Sequence, residues 1–183
     1  MIMKAFVVAI SGIPGSGAAQ LCDEFCRKTE KSAVLHFGEF HKLRQDFDSL
    51  DLSEFKADVE KLAMNKKYEC VFLDYPLGRH VKSMSSVIDF VFFVDTPPDM
   101  ALARSISREL KNTDIESVRA KLRRYQEHGH DITQKIIQTV PRSVDVVLSA
   151  ENSLDDCEHI IMEFMRHLLI NRYALGSVLF KMA

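Results

Sequence analysis

Two kinds of hydrophobic pattern alternate along this chain. Short runs that are apolar throughout have the length of β-strands and the character of strands covered on both faces. These runs span residues 5–11, 33–37, 70–73, 88–94 and 144–148. Between them, apolar residues recur at every third or fourth position, which predicts helices at about 17–29, 53–65, 98–110, 115–128, 131–139 and 154–170. Strands that alternate with helices predict an α/β fold, a three-layer sandwich around a five-stranded, mostly parallel sheet with right-handed crossovers.

Two local signals mark the beginnings of predicted helices. Ser53 is a residue type preferred at helix N-caps, and apolar residues follow it at helical spacing. We therefore expect Ser53 to cap the second helix. Pro98 suits the first turn of the next long helix, where a missing N–H group costs no hydrogen bond.

The composition favours one folded domain over residues 1–183. Apolar residues make up 46% of the chain and charged residues 27%, an ordinary balance for a folded protein and too apolar for a disordered one. The 24 basic and 26 acidic residues give a formal net charge of −2. Because proteins that bind nucleic acids usually carry an excess of basic residues, this balance argues against nucleic acid as a general partner.

The cysteines and the apolar segments indicate a cytoplasmic protein. None of the four cysteines belongs to a Cys-x-x-Cys pair, which argues against a zinc ribbon or a thioredoxin-like site. Small buried thiols in a reducing compartment are the expectation. The apolar run at 5–10 is short and leads into a glycine-rich loop, and charged residues interrupt the apolar segment at 160–179, so we expect no membrane partner.

The glycine-rich segment after the first predicted strand carries the clearest chemical signal. It consists of Gly12, Ile13, Pro14, Gly15, Ser16, Gly17, Ala18 and Ala19. Its spacing and its place between a strand and a helix match the phosphate-binding loop G-x-x-x-x-G-K-[ST]. Small residues let backbone N–H groups converge on one point, and the following helix adds the positive end of its dipole. Phosphate oxygens could therefore bind without a cationic side chain; the alternative is a turn that binds nothing.

The loop departs from the motif at its last two positions. Ala18 stands where the motif has Lys, and Ala19 stands where it has the Ser or Thr that binds Mg²⁺. A hydrogen bond to a charged group contributes roughly 1.5–3 kcal/mol. Loss of a donor that stabilises transition-state charge typically lowers a rate by about 10²–10³-fold. Three explanations are open: an impaired natural protein, another cation in place of the lysine, or a chain altered to disable it.

Two segments beyond the loop extend this pattern. Residues 89–96 read D-F-V-F-F-V-D-T and lead into a helix that carries Arg104 and Arg108, and residues 144–148 read V-D-V-V-L. With the loop, they resemble the uridine kinase-like branch of the P-loop kinases, which includes relatives of phosphoribulokinase and pantothenate kinase. The resemblance implies a five-stranded parallel sheet with the loop strand in the middle and a mobile lid at about 104–130.

The resemblance covers about residues 5–165 and implies an activity. Family members transfer the γ-phosphoryl group of a nucleoside triphosphate such as ATP to a small-molecule hydroxyl, with Mg²⁺. Asp74, after the third predicted strand, would be the catalytic acid that holds Mg²⁺, directly or through water. The alternative for Asp74 is a solvated acid at the end of a strand.

Arg104 and Arg108 match two of the family's lid arginines, whose fixed charges suit a transferring phosphoryl group. They lie one helical turn apart, and the segment 104–124 holds seven basic and three acidic residues, which favours anion binding. Pairing with acidic residues at the surface is the other interpretation of these arginines.

The catalytic base of the family is an Asp after the second strand. Gly38 occupies that position here, and Glu39 lies one residue further along. Glu39 could act as the base only if the loop rearranges, and it is otherwise a surface carboxylate.

Two functions follow from these observations. The first is a phosphotransferase with a nucleoside triphosphate and a small-molecule acceptor as partners. The second is an impaired kinase-like protein that binds a nucleotide or phosphate in a regulatory or interaction role. The apolar segment 173–182 could pack on its own domain or form a homo-oligomer interface.

Overall fold

The structure is a computed structural model that describes residues 4–38, 43, 47, 49–149 and 152–181. The chain divides into two compact units, Met1–Ala150 and Glu151–Ala183. Within the described residues of the second unit, one helix spans Leu154–Lys181 (α7). In the part of the chain that the structure describes, no helix has both the length and the apolar character to cross a membrane.

The described part of the first unit contains a parallel sheet of five strands. They are β1 (Phe6–Gly12), β2 (Ser32–His36), β3 (Cys70–Asp74), β4 (Phe90–Val94) and β5 (Val146–Leu148). Their order across the sheet is β2-β3-β1-β4-β5, and each neighbouring pair is parallel. The predicted α/β fold is confirmed, and the strand that precedes the glycine-rich loop lies in the middle of the sheet.

Helices connect the strands and cover the sheet. They are α1 (Ala18–Lys28), α2 (Ser53–Met64), α3 (Lys82–Ser85), α4 (Pro98–Asn112), α5 (Ile115–Arg124) and α6 (His130–Thr139). A π-helical turn, Tyr125–Gly129, joins α5 to α6, and a 3₁₀ turn, Val140–Ser143, follows α6. The central strand is inaccessible to solvent from Val7 to Ile10, which explains why it is apolar on both faces.

Acidic side chains fix the amino ends of the strands. The Asp89 carboxylate accepts a hydrogen bond of 2.8 Å from the Val7 N–H group, and the Asp145 carboxylate accepts one of 2.7 Å from the Val91 N–H group. Arg79 pairs with Asp145 at 2.8 Å and donates to the carbonyl of Asp89 at 2.7 Å. These contacts anchor the amino ends of β1 and β4, whereas the glycine-rich loop lies at the carboxyl end of β1.

The structure corrects two local predictions. Ser53 is the first residue of α2 and not its cap: Leu52 holds the N-cap position, and the Asp51 carboxylate accepts a hydrogen bond of 2.9 Å from the Ser53 N–H group. The helix predicted at 115–128 does not reach residue 128. It ends at Arg124, because the chain widens there into the π-helical turn.

Candidate functional site

The loop 12–19 curls because two of its glycines adopt left-handed backbone conformations. Gly15 has φ 94° and Gly17 has φ 100°, a region that side chains disfavour. The Ser16 N–H group donates to the Ile13 carbonyl at 2.9 Å and closes the turn. The Leu21 N–H group then donates to the Gly17 carbonyl at 3.0 Å, so α1 starts directly from the loop.

Close backbone contacts leave no space for side chains at two of these glycines. A Cβ atom at Gly12 would lie 2.4 Å from the Ser16 hydroxyl oxygen and 3.2 Å from the Val94 carbonyl oxygen. A Cβ atom at Gly15 would lie 2.0 Å from the carbonyl oxygen of Ala101. Gly15 is therefore required by packing as well as by conformation, whereas the constraint on Gly12 comes from packing alone.

The beginning of α1 favours an anion. The first N–H groups of an α-helix have no partner within the helix, and the dipole places partial positive charge there. No acidic residue lies in the first turn of α1 to offset that charge. The Ala18 N–H group reaches the Ser16 hydroxyl only at 3.4 Å, a long contact that a phosphate oxygen could replace.

The side chains at the end of the loop are buried or small. The Ala18 side chain is only 5% exposed, and Ala19 supplies no oxygen for a metal. The loop thus curls tightly before α1 and lacks the ammonium and hydroxyl groups of the complete motif.

Asp74 lies at the carboxyl end of β3, on the strand next to the loop strand. It pairs in register with Ile10, just before the loop begins at Gly12. Its side chain is 13% exposed, and burial raises its pKa, although hydrogen bonding to His36 and the positive charge of Arg108 act to lower it. The fold therefore brings Asp74 close to the loop and to one of the two predicted arginines.

The two arginines differ in their surroundings. Arg108 is exposed on α4, and its charge reaches Asp74. Arg104 is exposed as well, and within the described residues it forms no hydrogen bond or ion pair. Glu109, which lies next to Arg108 on α4, pairs with Lys121 of α5 at 2.7 Å.

His36 was not singled out as a functional residue in the sequence. It ends β2 and pairs in register with Asp74. Its Nδ1 atom lies 3.2 Å from Asp74 Oδ2, and its Nε2 atom lies 3.1 Å from Asp23 Oδ1. Burial lowers the pKa of His36, but the hydrogen bonds and charges of the two carboxylates outweigh burial and raise the pKa above its ordinary value.

A magnesium ion fits this site when a nucleotide brings part of its coordination shell. No group of three His, Cys, Asp or Glu side chains in the described residues could hold a metal ion. Mg²⁺ usually binds through one or two carboxylates together with phosphates and water. Asp74 offers one such carboxylate, because within the described residues only its Oδ2 atom is hydrogen-bonded.

Glu39, the predicted base, lies outside the described residues. The Asp51 carboxylate, just before α2, accepts a hydrogen bond from the Ser53 N–H group. The structure therefore assigns no catalytic geometry to either carboxylate.

Two cavities lie near these elements. One of about 100 Å³ separates Pro14 of the loop from α4, α5 and α6, with Ser105, Lys121 and Thr133 in its lining. It is smaller than the cavities of about 300–1,000 Å³ that hold small-molecule ligands. The other, about 540 Å³, lies between the start of α2 and the segment that begins α3, and includes Lys56 and Lys82.

Comparison with known proteins finds similar folds among solved structures. No protein-family model matches the chain, and no curated protein gives a significant sequence match. A protein described as a fructose transport system kinase from a Silicibacter species is similar in structure, with TM-score 0.54, 14% identity, and coverage of 80% of this chain and 90% of that one.

Further solved structures give the same result. The deoxyadenosine kinase of M. mycoides, solved with dCMP and dCDP, has TM-score 0.54 and 14% identity over 88% of this chain and all of its own. A protein from Thermus thermophilus has TM-score 0.51 and 17% identity over 90% of this chain and 98% of its own. At these identities the likeness concerns architecture, and the chain has the fold of the P-loop kinases.

Proposed function

We propose that the protein is a kinase-like phosphotransferase. It binds the phosphates of a nucleoside triphosphate such as ATP at loop 12–19 and transfers the γ-phosphoryl group to the hydroxyl of a small molecule. The observation that carries this proposal is the placement of Asp74 at the end of the strand beside the loop strand, where the positive charge of Arg108 acts to lower its pKa. An anion-binding turn, an acid and a guanidinium at one edge of a sheet are the parts that phosphoryl transfer requires.

Each residue has a distinct role in this proposal. Backbone N–H groups of the loop and of the first turn of α1 hold the phosphates. Arg108 stabilises the charge that spreads over the transferring group. Asp74 holds Mg²⁺, which neutralises charge on the phosphates when it is bound.

The finer assignment is to the uridine kinase-like branch, with a nucleoside or a related small molecule as acceptor. It is supported by the D-F-V-F-F-V-D-T segment at 89–96, which forms β4 and leads into the arginine-bearing helix α4. In this assignment the segment 104–130, which includes α5 and the π-helical turn, serves as the lid.

Transfer should be slow in comparison with enzymes that keep the full motif. The loop lacks the lysine that bridges the β- and γ-phosphates and the hydroxyl that binds Mg²⁺. Loss of one donor aimed at transition-state charge costs about 10²–10³-fold in rate.

A second candidate function is nucleotide or phosphate binding without transfer, in a regulatory or interaction role. The residues that favour it are Ala18 and Ala19, because the loop keeps the glycines and the turn of the motif and lacks the side chains that act on the γ-phosphate. Both candidate functions predict that the loop binds a nucleotide or phosphate, but only the first predicts phosphoryl transfer.

A thermal-shift titration with ATP, with and without Mg²⁺, tests both candidates. At 100 times its Kd, a ligand adds about 2.7 kcal/mol to the free energy of unfolding. The matched control is Ala19→Asp, which puts a carboxylate in the first turn of α1, where it favours the helix but repels phosphate; Ala19→Asn supplies the uncharged comparison. A shift that Ala19→Asp abolishes and Ala19→Asn retains supports binding at the loop.

Turnover separates the two candidates. Wild-type protein, [γ-³²P]ATP and a panel of nucleosides and sugars should yield a labelled acceptor if the protein is a phosphotransferase. Binding without any labelled product supports the second candidate. No thermal shift at millimolar nucleotide would overturn both.

A further inference from the structure

A chain of three side chains links the acid of the candidate site to the surface. Asp74 Oδ2 is 3.2 Å from Nδ1 of His36, and Nε2 of His36 is 3.1 Å from Oδ1 of Asp23. These residues come from three different elements, since Asp74 ends β3, His36 ends β2 and Asp23 lies on α1. Because α1 starts from loop 12–19, the chain ties the acid to the helix that carries the candidate phosphate site.

Along this series of three hydrogen-bonded side chains, the exposed fraction falls from Asp23 to Asp74. Asp23 is 52% exposed, His36 is 39% exposed and Asp74 is 13% exposed. The His36 imidazole therefore contacts Asp74 at a point where packing limits the movement of the Asp74 side chain. On its other side the imidazole contacts Asp23, a carboxylate that solvent reaches.

One oxygen of Asp74 is engaged by this chain and the other is not. Nδ1 of His36 is hydrogen-bonded to Oδ2 of Asp74, whereas Oδ1 of Asp74 has no hydrogen bond within the described residues. A carboxylate held at one oxygen by a fixed donor keeps its second oxygen in a fixed direction. Side chains that hold a metal ligand in this manner typically account for about 10–100-fold in metal affinity.

We propose that His36, oriented by Asp23, is the positioning residue that sets the Asp74 carboxylate for the metal–nucleotide complex. This inference rests on the proposed function, because it assigns residues toward an Mg²⁺ that Asp74 would hold. It adds two residues, Asp23 and His36, that neither the loop motif nor the lid arginines include. A surface ion pair without this role would affect stability alone, and exposed pairs contribute only about 0–1 kcal/mol.

Two substitutions of His36 separate the two hydrogen bonds. Asparagine places its amide near the position of Nδ1, so His36→Asn keeps a donor toward Asp74 and loses the link to Asp23. Glutamine reaches the position of Nε2, so His36→Gln keeps a partner for Asp23 and loses the donor toward Asp74. The matched control is Glu69→Gln, which removes another ion pair between neighbouring chain segments, Lys31–Glu69 at 2.6 Å, at the opposite ends of β2 and β3.

The measurement is the dissociation constant of ATP by isothermal titration calorimetry, with Mg²⁺ and with EDTA. The readout is the dissociation constant in EDTA divided by the dissociation constant with Mg²⁺. This ratio reports the metal's contribution to binding and needs no turnover. We expect His36→Gln to lower this ratio by about 10–100-fold, with the constant in EDTA unchanged. His36→Asn should lie between His36→Gln and wild type, and Glu69→Gln should match wild type.

The outcomes distinguish this inference from the proposed function. Equal ratios in wild type and His36→Gln would overturn the positioning role and leave nucleotide binding at the loop intact. A wild-type protein that binds ATP equally well with Mg²⁺ and with EDTA would overturn it in the same way. A wild-type protein that binds no ATP under either condition would overturn the proposed function and this inference together.

Discussion

The backbone of Gly15 lies against the carbonyl oxygen of Ala101, so close that a Cβ atom at residue 15 would stand 2.0 Å from it. This contact joins the middle of the glycine-rich loop to the first turns of α4, the helix that carries both candidate arginines. The curvature of the loop and the placement of α4 therefore depend on each other, because a side chain at residue 15 would push the two apart.

Replacement of Gly15 by alanine should destabilise the fold and abolish phosphate binding. A left-handed conformation costs roughly 1–2 kcal/mol for a residue with a side chain, and here the clash with Ala101 adds to that cost. The control is Gly38→Ala, since Gly38 has φ 62° but a Cβ atom there would lie 4.0 Å from the nearest atom beyond its chain neighbours among the described residues, the His36 carbonyl oxygen. Urea denaturation should show a larger loss of unfolding free energy for Gly15→Ala, and equal losses would contradict the packing argument.

Restoring the missing side chains should strengthen both binding and transfer. In Ala18→Lys with Ala19→Ser, a charged hydrogen bond of roughly 1.5–3 kcal/mol becomes available to the phosphates. Nucleotide affinity should rise by about 10-fold or more, and the rate of transfer by about 10²–10³-fold. Because Ala18 is 5% exposed, Ala18→Met with Ala19→Ser controls for the added bulk. If the lysine variant gains nothing over this control, the remainder of the site does not support transfer.

Removal of the Tyr75 hydroxyl should leave the protein as stable as before or more stable. Tyr75 is fully buried, its hydroxyl has no hydrogen-bond partner within the described residues, and burial raises its pKa. An unsatisfied buried polar group costs about 1–3 kcal/mol, which Tyr75→Phe would relieve. The ring contacts with Phe37 and Phe55, with centroids 5.5 Å away in each case, stay intact.

Chemical denaturation checks this expectation, with Tyr75→Leu as the comparison. Leucine removes the aromatic contacts, each worth roughly 0.5–1.5 kcal/mol beyond buried area, and should lower the free energy of unfolding. A lower free energy of unfolding in Tyr75→Phe would contradict this expectation, because it would show that the Tyr75 hydroxyl makes a stabilising hydrogen bond.

The contribution of His36 to stability should depend on pH. Its pKa in the folded protein lies above the ordinary value of 6.5, because Asp74 and Asp23 together outweigh the effect of burial. A group that binds its proton more tightly in the folded state stabilises fully below its unfolded pKa, and this stabilisation is lost as the pH rises through the folded pKa.

Melting temperatures of wild type and His36→Gln at pH 5.5 and pH 8.5 test the sign. The deficit of the variant should be larger at pH 5.5, and modest in size because the imidazole is 39% exposed. High salt should reduce it further. A larger deficit at pH 8.5 would contradict the direction of the shift.

The strands were predictable because burial on both faces leaves a continuous apolar signature. Residues 70–73 contain all of β3 except Asp74, a polar residue that continues the ladder, and residues 88–94 contain all of β4 and two residues before it. The π-helical turn was not predicted, because the helix predicted at 115–128 runs on into it. Gly129 contacts the Tyr125 ring there, where a Cβ atom would lie 3.0 Å from it.

The candidate site was predictable only in the residues that a linear motif contains. The loop follows from its spacing, and Asp74 follows from its place after an apolar strand. His36 needed the order of the strands, because only a sheet that places β2 beside β3 aligns its ring with Asp74. Asp23 needed the packing of α1 against those strands, which no pattern along the chain encodes.

The middle position of β1 has a consequence for how the chain reaches its native state. Its two neighbours, β3 and β4, begin at Cys70 and Phe90, so the first strand to leave the ribosome waits for residues made much later. Until then an apolar segment has no ladder partner, and such exposed segments favour aggregation and chaperone capture. The sheet position of β1, and with it the place of the glycine-rich loop that follows, is therefore fixed only after β3 and β4 have been made.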